Sequence, residues 1–544
     1  MDNGKINRRR LLHAAGISAA GFALGGLAKS VRAASERPAR QLNFLWISCE
    51  DISPDLACYG DGYAASPNLD RLAVEGCRYT RAFVSFPVCA PTRSSIITGV
   101  HPGTLGSMHM RTKNKSYEAV PPAGIKCFTE YLRAAGYYCT NNSKTDYQFT
   151  PPFTAWDESA KGAHWRNRPA DMPFFSVFNL TTTHESRCWP RDSEVLMHDP
   201  TKAPVPPYYP DTPIVRENIA RYYDNITEMD KQAGDLLEQL EQDGLARDTV
   251  VFFWSDHGRG LPRCKRWPYD SGLHVPLIIR WPGRIEAGSV CDDLVNLIDL
   301  APTLLSLAGI DVPEYMQGRA LLGQKKSKPR EYVFGGRNRM DASSNDYIRT
   351  ARDKRYRYIR NFNPEAPYAQ RIDYMEKMPI MQEWRRLNAE GKLTGPQKIF
   401  FEHPKPPEEL YDLTADPYEV NNMADSPDHQ KVLRRMRIAL EKWIKEAHDL
   451  GGLDEDELIE RMWPGRKQPV TATPTFDTSP NADGNMRVAI RCATEGASIG
   501  YRVAEQPRWL IYTRPITIAH GVLLEAKAIR IGYKESETAQ LERP

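Results

Sequence analysis

The sequence predicts an α/β protein in which a mostly parallel, mixed sheet is sandwiched by helices, followed by a smaller α+β C-terminal subdomain and an appended β-sandwich module. Two uninterrupted apolar runs, Asn43–Cys49 and Thr249–Ser255, are typical of strands buried on both faces of a parallel sheet. Other strand-like runs alternate with helical patterns up to about residue 327, as in layered α/β proteins. Beyond that point the alternation stops, and residues 481–544 contain only strand-like runs.

Pro and Gly mark the ends of the helices in the first part of the chain. One helix begins at Ser66-Pro67 and closes at Gly76, a second ends at Gly136, and a long one covers about residues 215–245. In the long helix the apolar side chains recur at helical spacing, which gives it one face toward a core. Further strands are predicted at three places: Tyr137–Asn141, Pro173–Leu180 and Val275–Trp281.

Changes of pattern divide the rest of the chain. The α/β domain covers residues 35–327, and the α+β subdomain covers residues 328–466. Residues 467–480, with three prolines among Thr and Ser, are predicted to be a linker, and residues 481–544 to form the β-sandwich. Because linkers of this composition cross few contacts, the sequence predicts that truncation near Gln468 leaves a folded unit.

Composition excludes some classes of function. The 544 residues, 41% apolar and 26% charged, are typical of a soluble globular protein. Residues 1–34 hold six Lys/Arg and one Asp, so the remainder holds 66 basic and 68 acidic residues. A nucleic-acid binder would show a basic excess, so no nucleic-acid partner is expected. The ten cysteines lack the paired spacings of a zinc site, and we assign no disulfide pairing.

The first 34 residues are typical of an export signal. Arg8, Arg9 and Arg10 precede an apolar stretch rich in Gly and Ala, and small residues follow at Ala33 and Ala34. The arginine run looks like a twin-arginine signal. The apolar stretch is short for a bilayer span and no later run is long enough, so we expect a soluble periplasmic or secreted protein with no integral membrane segment in its mature form. An uncleaved N-terminal anchor is the alternative.

The stretch Ser85–Pro102 carries the clearest functional signal. Pro91 suits the first turn of a helix that stops at Gly99, which places Cys89 at the helix N-terminus. Free backbone N–H groups and the positive end of the helix dipole favour an anion there, and Arg93, one turn on, can clamp a tetrahedral oxyanion. A small buried cysteine before an ordinary helix is the alternative interpretation.

One pattern favours the functional interpretation: Cys-x-Pro-x-Arg-x-x-x-x-Thr-Gly, formed by Cys89, Pro91, Arg93, Thr98 and Gly99. It resembles the signature of the formylglycine-dependent sulfatases of the alkaline phosphatase superfamily. The resemblance implies that a formylglycine-generating maturase oxidises Cys89 to an aldehyde. It also implies that one oxygen of the hydrated aldehyde attacks the sulfur of the substrate.

The resemblance extends over roughly residues 40–465. In the α+β subdomain, the run from Glu409-Leu410-Tyr411-Asp412 to Asn422 is similar to the C-terminal part of the same enzymes. Residues 206–258 look most like heparan N-sulfatases, which implies an N-sulfated glucosamine substrate, although bacterial O-sulfatases share these features. Residues 481–544 resemble the small Ig-like module of hexosaminidases. A stabilising cap and a carbohydrate-contacting module are both open interpretations of that segment.

Acidic residues follow the two apolar strands. Glu50 and Asp51 end one strand and Asp256 ends the other, and such acids can converge on a hard divalent cation. Acids at strand ends are more often helix caps, but the resemblance implies a Ca²⁺ site built from these three residues and the modified Cys89. Many sulfatases have an Asp pair where this chain has Glu50-Asp51, and an Asn where it has His257. His257 could ligate a softer metal or donate a hydrogen bond, and a His at this place also occurs in related phosphonate and phosphodiester hydrolases.

The remaining predicted catalytic residues carry charge or protons. The resemblance implies that Lys144 and Lys265, with Arg93, hold the transferred sulfate, where positive charge stabilises a dissociative transition state. His184, just beyond the strand Pro173–Leu180, is placed to protonate the leaving group, with a capping histidine as the alternative. Where the family has a histidine two positions after the first lysine, this chain has Asp146, which becomes the candidate base for releasing sulfate.

These observations predict an exported sulfatase that acts on a sulfated carbohydrate, with the glycosaminoglycans among the candidate substrates. A phosphonate monoester or phosphodiester hydrolase of the same superfamily is the first alternative. A non-catalytic glycan-binding protein is the second, and the combination of Cys89, Arg93, Asp51 and Asp256 argues against it. Substrate selectivity is expected to lie in loops that general rules do not decode, such as residues 101–115 and 187–207.

Overall fold

The computed structural model describes residues 41–190, 195–481, 485–503, 506–519 and 521–542, so the predicted export signal, residues 1–34, lies outside the described residues. None of the helices in these ranges is both long enough and apolar enough to cross a membrane. Nine strands of the described residues form the central sheet: β1 (Asn43–Cys49), β2 (Cys77–Phe83), β3 (Tyr138–Asn142), β4 (Glu158–Ser159), β5 (Phe174–Leu180), β6 (Thr249–Ser255), β7 (His274–Arg280), β8 (Ser289–Cys291) and β9 (Val295–Asn296).

The central sheet is mixed and mostly parallel, as predicted. The strand order is β4-β3-β5-β1-β6-β7-β2-β8, and β9 also pairs with β2. Only β7 runs antiparallel to its neighbours in this part of the structure. The α-helices found among the described residues are α1 (Pro67–Glu75), α2 (Cys89–Thr98), α3 (Pro102–Leu105), α4 (Phe128–Ala134), α5 (Pro213–Gln242), α6 (Asp270–Leu273), α7 (Leu300–Leu307), α8 (Asp373–Glu376), α9 (Pro379–Ala389), α10 (Gln430–Glu446) and α11 (Glu455–Met462).

Helices cover both faces of the sheet because successive side chains of its strands point to opposite sides. On β1, Leu45 and Ile47 pack in one core with α1 and α5. Phe44 and Trp46 of the same strand pack in a second core with α2, α4 and α7. This is why β1 is an uninterrupted apolar run, and the predicted α/β fold is confirmed.

Two smaller units follow the central sheet. An antiparallel sheet of β10 (Val333–Arg337), β11 (Ile348–Arg352), β12 (Tyr356–Asn361) and β13 (Glu408–Asp412) packs against α10. The C-terminal module consists of two antiparallel sheets. Its strands are β14 (Thr475–Pro480), β15 (Met486–Arg491), β16 (Ser498–Val503), β17 (Leu510–Ile511), β18 (Ile516–Ile518), β19 (Leu524–Ile529) and β20 (Ala539–Leu541).

The predicted linker, residues 467–480, is partly wrong because its second half is strand β14. Each residue of Thr475–Pro480 pairs with a residue of β15. Proline is tolerated there because β14 lies at the edge of its sheet and Pro480 is its last residue. The Pro and Thr content that suggested a linker therefore belongs in part to an edge strand.

The expectation that few contacts join the module to the rest of the protein is also wrong. Arg508 Nε lies 2.8 Å from Asp157 Oδ1, a buried carboxylate that also pairs with Arg133 at 2.9 Å. Arg133 donates in turn to the backbone oxygen of Trp509 at 2.7 Å. Ile531 is buried in the same core as β1. These contacts favour the interpretation that the C-terminal module stabilises the rest of the protein.

We expect Arg508→Ala to lower the free energy of unfolding by about 1–3 kcal/mol, because it leaves the buried Asp157 with one charged partner instead of two. Urea unfolding of the purified protein measures this. Arg491→Ala is the matched control, since Arg491 pairs with Asp477 on the exposed surface of the module and should change stability by less than about 0.5 kcal/mol. Equal stability of the wild type, Arg508→Ala and a chain truncated near Gln468 would contradict the assignment of a stabilising role.

Candidate active site

The site lies at one edge of the central sheet, where several strands end side by side. β3, β5, β1 and β6 are parallel neighbours, and β2 runs in the same direction beyond β7. The carboxyl ends of such strands are where open α/β sheets place their ligands. The segments after these strands carry the predicted site residues: Lys144 and Asp146 after β3, His184 after β5, Glu50 and Asp51 after β1, Asp256, His257 and Lys265 after β6, and Cys89 and Arg93 after β2.

Cys89 is the first residue of α2, as predicted. Val88 before it is extended, and Gly99 ends the helix in a left-handed conformation with φ of 70° that glycine adopts without a Cβ clash. Every side chain of α2 is buried, and the hydroxyl groups of Ser94, Ser95 and Thr98 donate to carbonyl oxygens of the preceding turn, such as Ser95 to Thr92 at 2.7 Å. The helix can therefore lie in the core and present Cys89, 2% exposed, to the strand ends.

His257 and Asp51 lie beside the thiol, and Asp256 lies next to both of them. His257 Nε2 lies 3.4 Å from Cys89 Sγ, 2.9 Å from Asp51 Oδ1 and 3.6 Å from Asp256 Oδ1. The other ring nitrogen, Nδ1, lies 3.0 Å from the Gly258 carbonyl oxygen, to which it donates when protonated. This hydrogen bond directs Nε2 to the cluster.

The backbone around Asp51 is specialised for this position. Asp51 has a φ of 57°, and its backbone N–H donates to Asp256 Oδ1 at 3.2 Å. Gly260 donates its N–H to the Asp51 carbonyl at 2.8 Å, and a Cβ there would lie 2.8 Å from Asp51 Oδ2. The close approach therefore requires glycine at position 260.

The cluster fits a divalent cation. One ligand atom each from Asp51, Cys89 and His257 lies within 4.8 Å of the others, so an oxygen, a sulfur and a nitrogen atom are close enough to share one ion. Burial alone would lower the pKa of His257, but Asp256 and Asp51 outweigh burial and raise it to about 10. A positive charge is thus favoured between the carboxylates. Glu50 is oriented differently, because its carboxylate contacts the Lys144 ammonium.

Arg93 and Lys144 lie on the other side of Asp256. Arg93 Nε donates to Asp256 Oδ2 at 3.0 Å, and Nη1 donates to Asn179 Oδ1 at 2.7 Å. Its Nη2 is buried, has no hydrogen-bond partner among the described residues and lies 3.6 Å from Glu50 Oε1. A buried guanidinium N–H without a partner costs free energy unless a ligand accepts it, so this atom is suited to an oxyanion.

Lys265 is the third cation of the site, and it is fully buried. Its ammonium lies 2.7 Å from Asp51 Oδ2 and 3.0 Å from Glu185 Oε1. Glu185 also forms an ion pair with Arg266, and its backbone N–H donates to Asp51 Oδ2 at 2.7 Å. Despite burial, Arg266 and Lys265 lower the pKa of Glu185 to about 2, so it remains a carboxylate. Glu185 and Arg266 hold Lys265 in place.

His184 lies beside the same acids. Its Nδ1 is 2.8 Å from Ser186 Oγ and accepts from the Ser186 N–H at 3.3 Å, so in the neutral ring the proton is on Nε2. Burial, followed by the nearby Lys265, lowers the pKa of His184. A ring nitrogen of His184 and oxygens of Asp51 and Glu185 come within 4.8 Å of one another. The position of the ring suits proton donation at this side of the cluster by the imidazolium form.

Asp146 is held in an ion-pair network. It contacts Arg111, and its Oδ2 lies 3.8 Å from Lys144 Nζ. Burial raises its pKa, but Arg111 and Lys144 outweigh burial and hold it below the usual value. A carboxyl group in this environment is a weak base.

Sequence reasoning did not identify Asn179, Glu185, Arg266 or Arg111. Asn179 is part of the apolar strand β5, and the contacts of Arg266 and Arg111 join segments far apart in the chain. Glu185 had a signal, because it directly follows the predicted His184. An acid next to a predicted catalytic residue is a reasonable candidate for positioning a buried lysine.

A layered α/β fold with acids and cations gathered at the carboxyl ends of its strands is typical of enzymes that hydrolyse esters of oxyanions. The profile of the Sulfatase family matches residues 42–310, and that of the N-sulphoglucosamine sulphohydrolase C-terminal domain matches residues 263–383. An ulvan-active sulfatase of Formosa agariphila is 43% identical over 93% of this chain and 91% of that protein. The chain belongs to the sulfatase family, and it is a sulfate ester hydrolase.

Two further similarities agree with this assignment. The N-sulphoglucosamine sulphohydrolase of Homo sapiens is 25% identical over 79% of this chain and 95% of that protein. A solved 2-O GAG sulfatase structure superposes with a TM-score of 0.58 at 19% identity, over 75% of this chain and 93% of that one. At that identity the structural similarity establishes the fold alone. The predicted sulfatase resemblance is confirmed.

Proposed function

We propose that this protein is an exported sulfatase that removes sulfate from a sulfated carbohydrate, with residue 89 as the nucleophilic position. The observation that carries the proposal is the placement of Cys89 at the buried start of α2, beside Asp51 and His257 and one helical turn from Arg93, whose Nη2 makes no hydrogen bond among the described residues. A nucleophile, an acidic cation site and an oxyanion donor within one cluster match what sulfate transfer requires. Conversion of Cys89 to formylglycine by a maturase would supply an aldehyde hydrate as the nucleophile.

The cation proposed for this site is Ca²⁺. Asp51, Asp256 and residue 89 would hold it, with His257 as a further ligand and Glu50 able to reach it by turning away from Lys144. When bound, the ion withdraws charge from the sulfate group. The oxygen-rich donor set supports a hard cation, and the imidazole is the exception in that set.

The remaining residues bind the sulfate and move a proton. Arg93, Lys144 and Lys265 place three positive charges around the acids, which favours an anionic group and the charge that develops on its oxygens. Burial of Arg93 and Lys265 strengthens these interactions because water is excluded. The imidazolium form of His184 would protonate the leaving oxygen or nitrogen and become neutral.

The carbohydrate substrate is proposed from the relatives. One is named for activity on ulvan and another for an N-sulphoglucosamine, so sulfated sugars with O-linked or N-linked sulfate are the first compounds to assay. A panel of sulfated mono- and oligosaccharides, analysed for free sulfate, tests the proposal. Absence of sulfate release from every member, by protein with modified residue 89, would overturn it.

A phosphonate monoester or phosphodiester hydrolase remains the second candidate, because His257 follows Asp256. We expect the sulfatase activity to dominate, with kcat/KM for an aryl sulfate above that for the matched phosphodiester and phosphonate monoester. The reason is the family assignment, because the aryl sulfate, the phosphodiester and the phosphonate monoester are all monoanions that the three cations attract alike. Steady-state kinetics on the three compounds give the order, and the reverse order would favour the second candidate.

Removal of the cation is expected to abolish activity and Ca²⁺ to restore it, because Asp51 and Asp256 would otherwise repel an incoming sulfate. Activity and bound metal are measured after chelation and after addition of Ca²⁺. Asp51→Asn should lose both metal and activity, while Asp243→Asn, which alters an exposed ion pair with Arg166, should keep both. Restoration by Zn²⁺ but not by Ca²⁺ would contradict the assignment and make His257 the residue that selects the ion.

The proposal also covers where the protein is exported to and where its domains begin and end. We infer that residues 1–34 direct the protein to the periplasm or the medium, which cell fractionation of the full-length chain tests. We infer a catalytic domain at residues 35–327 and a subdomain at residues 328–466. The module then includes β14 and starts at about residue 475.

A further inference from the structure

An aromatic and cationic surface lies beside His184 and has no role in the chemistry proposed above. It is formed by Trp189, just after His184 in the chain, and by Tyr374 and Lys377 at helix α8. The Tyr374 ring meets the His184 ring edge-on with centroids 6.2 Å apart, and the Trp189 ring lies 5.1 Å from Tyr374. Tyr374 is 43% exposed, whereas Asp51, on the sulfate side of His184, is fully buried. Tyr374 is therefore an exposed ring in direct contact with His184, next to the buried acids.

The surface is rigidly held, although it is exposed. Trp189 Nε1 donates to the backbone oxygen of Tyr374 at 3.1 Å. Met375, the next residue of α8, is buried in the main core, and Glu376 forms an ion pair with Arg385. A half-exposed ring that is fixed by its neighbours loses little freedom when it binds a ligand, as binding surfaces require.

Lys377 adds a positive charge to this surface. Its ammonium lies 4.5 Å from the centre of the Trp189 ring and 5.7 Å from that of Tyr374. No carboxylate among the described residues forms an ion pair with it. The contacts with the rings fix the ammonium without neutralising it, so it can still bind an anionic group.

We propose that Tyr374 and Lys377 form a carbohydrate subsite on the leaving-group side of the sulfate site, and that this subsite binds a sugar residue with an acidic group. The inference rests on the proposed function, since it requires His184 to face the leaving group. Tyr374 stacks on the apolar face of the pyranose, and Lys377 binds a carboxylate or a second sulfate. Trp189 is a positioning residue that holds the Tyr374 backbone and the Lys377 ammonium. The substrate is therefore an oligosaccharide with acidic neighbours around the sulfated sugar.

The test compares three substrates: a sulfated disaccharide with a uronate, its carboxyl-reduced counterpart, and a disaccharide with a second sulfate in place of the carboxylate. We expect Lys377→Ala to raise KM about 10-fold on the acidic disaccharides, to leave kcat within 2-fold, and to have no effect on the carboxyl-reduced one. An effect on only one acidic disaccharide identifies that group as the ligand. Tyr374→Ala should raise KM on all three by about 10- to 100-fold, and Tyr374→Phe should restore binding. Lys431→Ala, an exposed lysine on α10, is the control.

Three results would overturn the subsite. In the first, Lys377→Ala matches the wild type on every disaccharide. In the second, it lowers kcat equally on acidic and neutral substrates, which indicates an effect on His184 instead. In the third, Tyr374→Phe fails like Tyr374→Ala. Failure of the proposed function is distinguishable, because the wild-type protein would then release no sulfate from any of the three substrates.

Discussion

Replacement of Cys89 by Ala is expected to lower sulfate release by roughly 10⁴-fold or more, the scale on which enzymes lose activity without their nucleophile. The effect should be confined to kcat, because Arg93, Lys144 and Lys265 still bind the sulfate group. The fold should persist, since Ala fits the first turn of α2 and, among the described residues, the thiol's one side-chain contact at hydrogen-bond range is His257 Nε2 at 3.4 Å. Initial rates on a sulfated sugar, with thermal unfolding as a check on folding, measure the effect.

In the wild-type protein, residue 89 itself is expected to be chemically modified. When it is produced with a competent maturase, the peptide that contains residue 89 should be lighter by the conversion of a thiol to an aldehyde, as determined by mass spectrometry. Cys492→Ala serves as the matched control, because that thiol lies in the C-terminal module and contacts the Ala472 carbonyl. Fully active protein with an intact thiol at residue 89 would refute the assignment of residue 89 as a formylglycine position.

Local patterns were sufficient to predict the elements that carry the site. β1 and β6 have the bounds expected from their apolar runs, because strands buried on both faces tolerate no polar interruption. The start of α2 was equally predictable, since Pro91 and Gly99 have backbone preferences that hold in any fold. The acids after β1 and β6 then meet because parallel strands end at a common edge.

What could not be predicted depends on contacts between distant segments. Glu50 was expected to be a metal ligand with Asp51, yet its longer side chain contacts Lys144 in this structure. The resemblance to the sulfatases was enough to place Lys265 in the site. Its enclosure by Glu185 and Arg266 could not be predicted, because no sequence spacing encodes these contacts. Strand β14 was missed for another reason: edge strands accept proline, so composition alone does not separate them from linkers.

His184→Ala is expected to lower turnover by roughly 10²–10⁴-fold on a sulfated sugar, the usual range for loss of a general acid. The loss should be smallest on a sulfate ester of an acidic phenol, which leaves without protonation. The proton is donated by the imidazolium form of His184. Burial and the nearby Lys265 lower the pKa of the ring, which makes the imidazolium a stronger acid. Brønsted plots for the wild-type and variant proteins over a series of leaving groups measure the difference in slope.

The control for this substitution is His429→Ala, since His429 Nδ1 lies 2.9 Å from Ser426 Oγ, as His184 Nδ1 lies 2.8 Å from Ser186 Oγ, but in the α+β subdomain. It should leave turnover unchanged. A loss in His184→Ala that is independent of the leaving group would assign His184 to binding.

Asp146→Ala tests the second proton transfer, the one that releases sulfate from residue 89. Because Arg111 and Lys144 make Asp146 a weak base, this variant should keep turning over at a reduced rate. Release of a single equivalent of desulfated sugar, followed by arrest, would instead make Asp146 the base that frees the enzyme of sulfate.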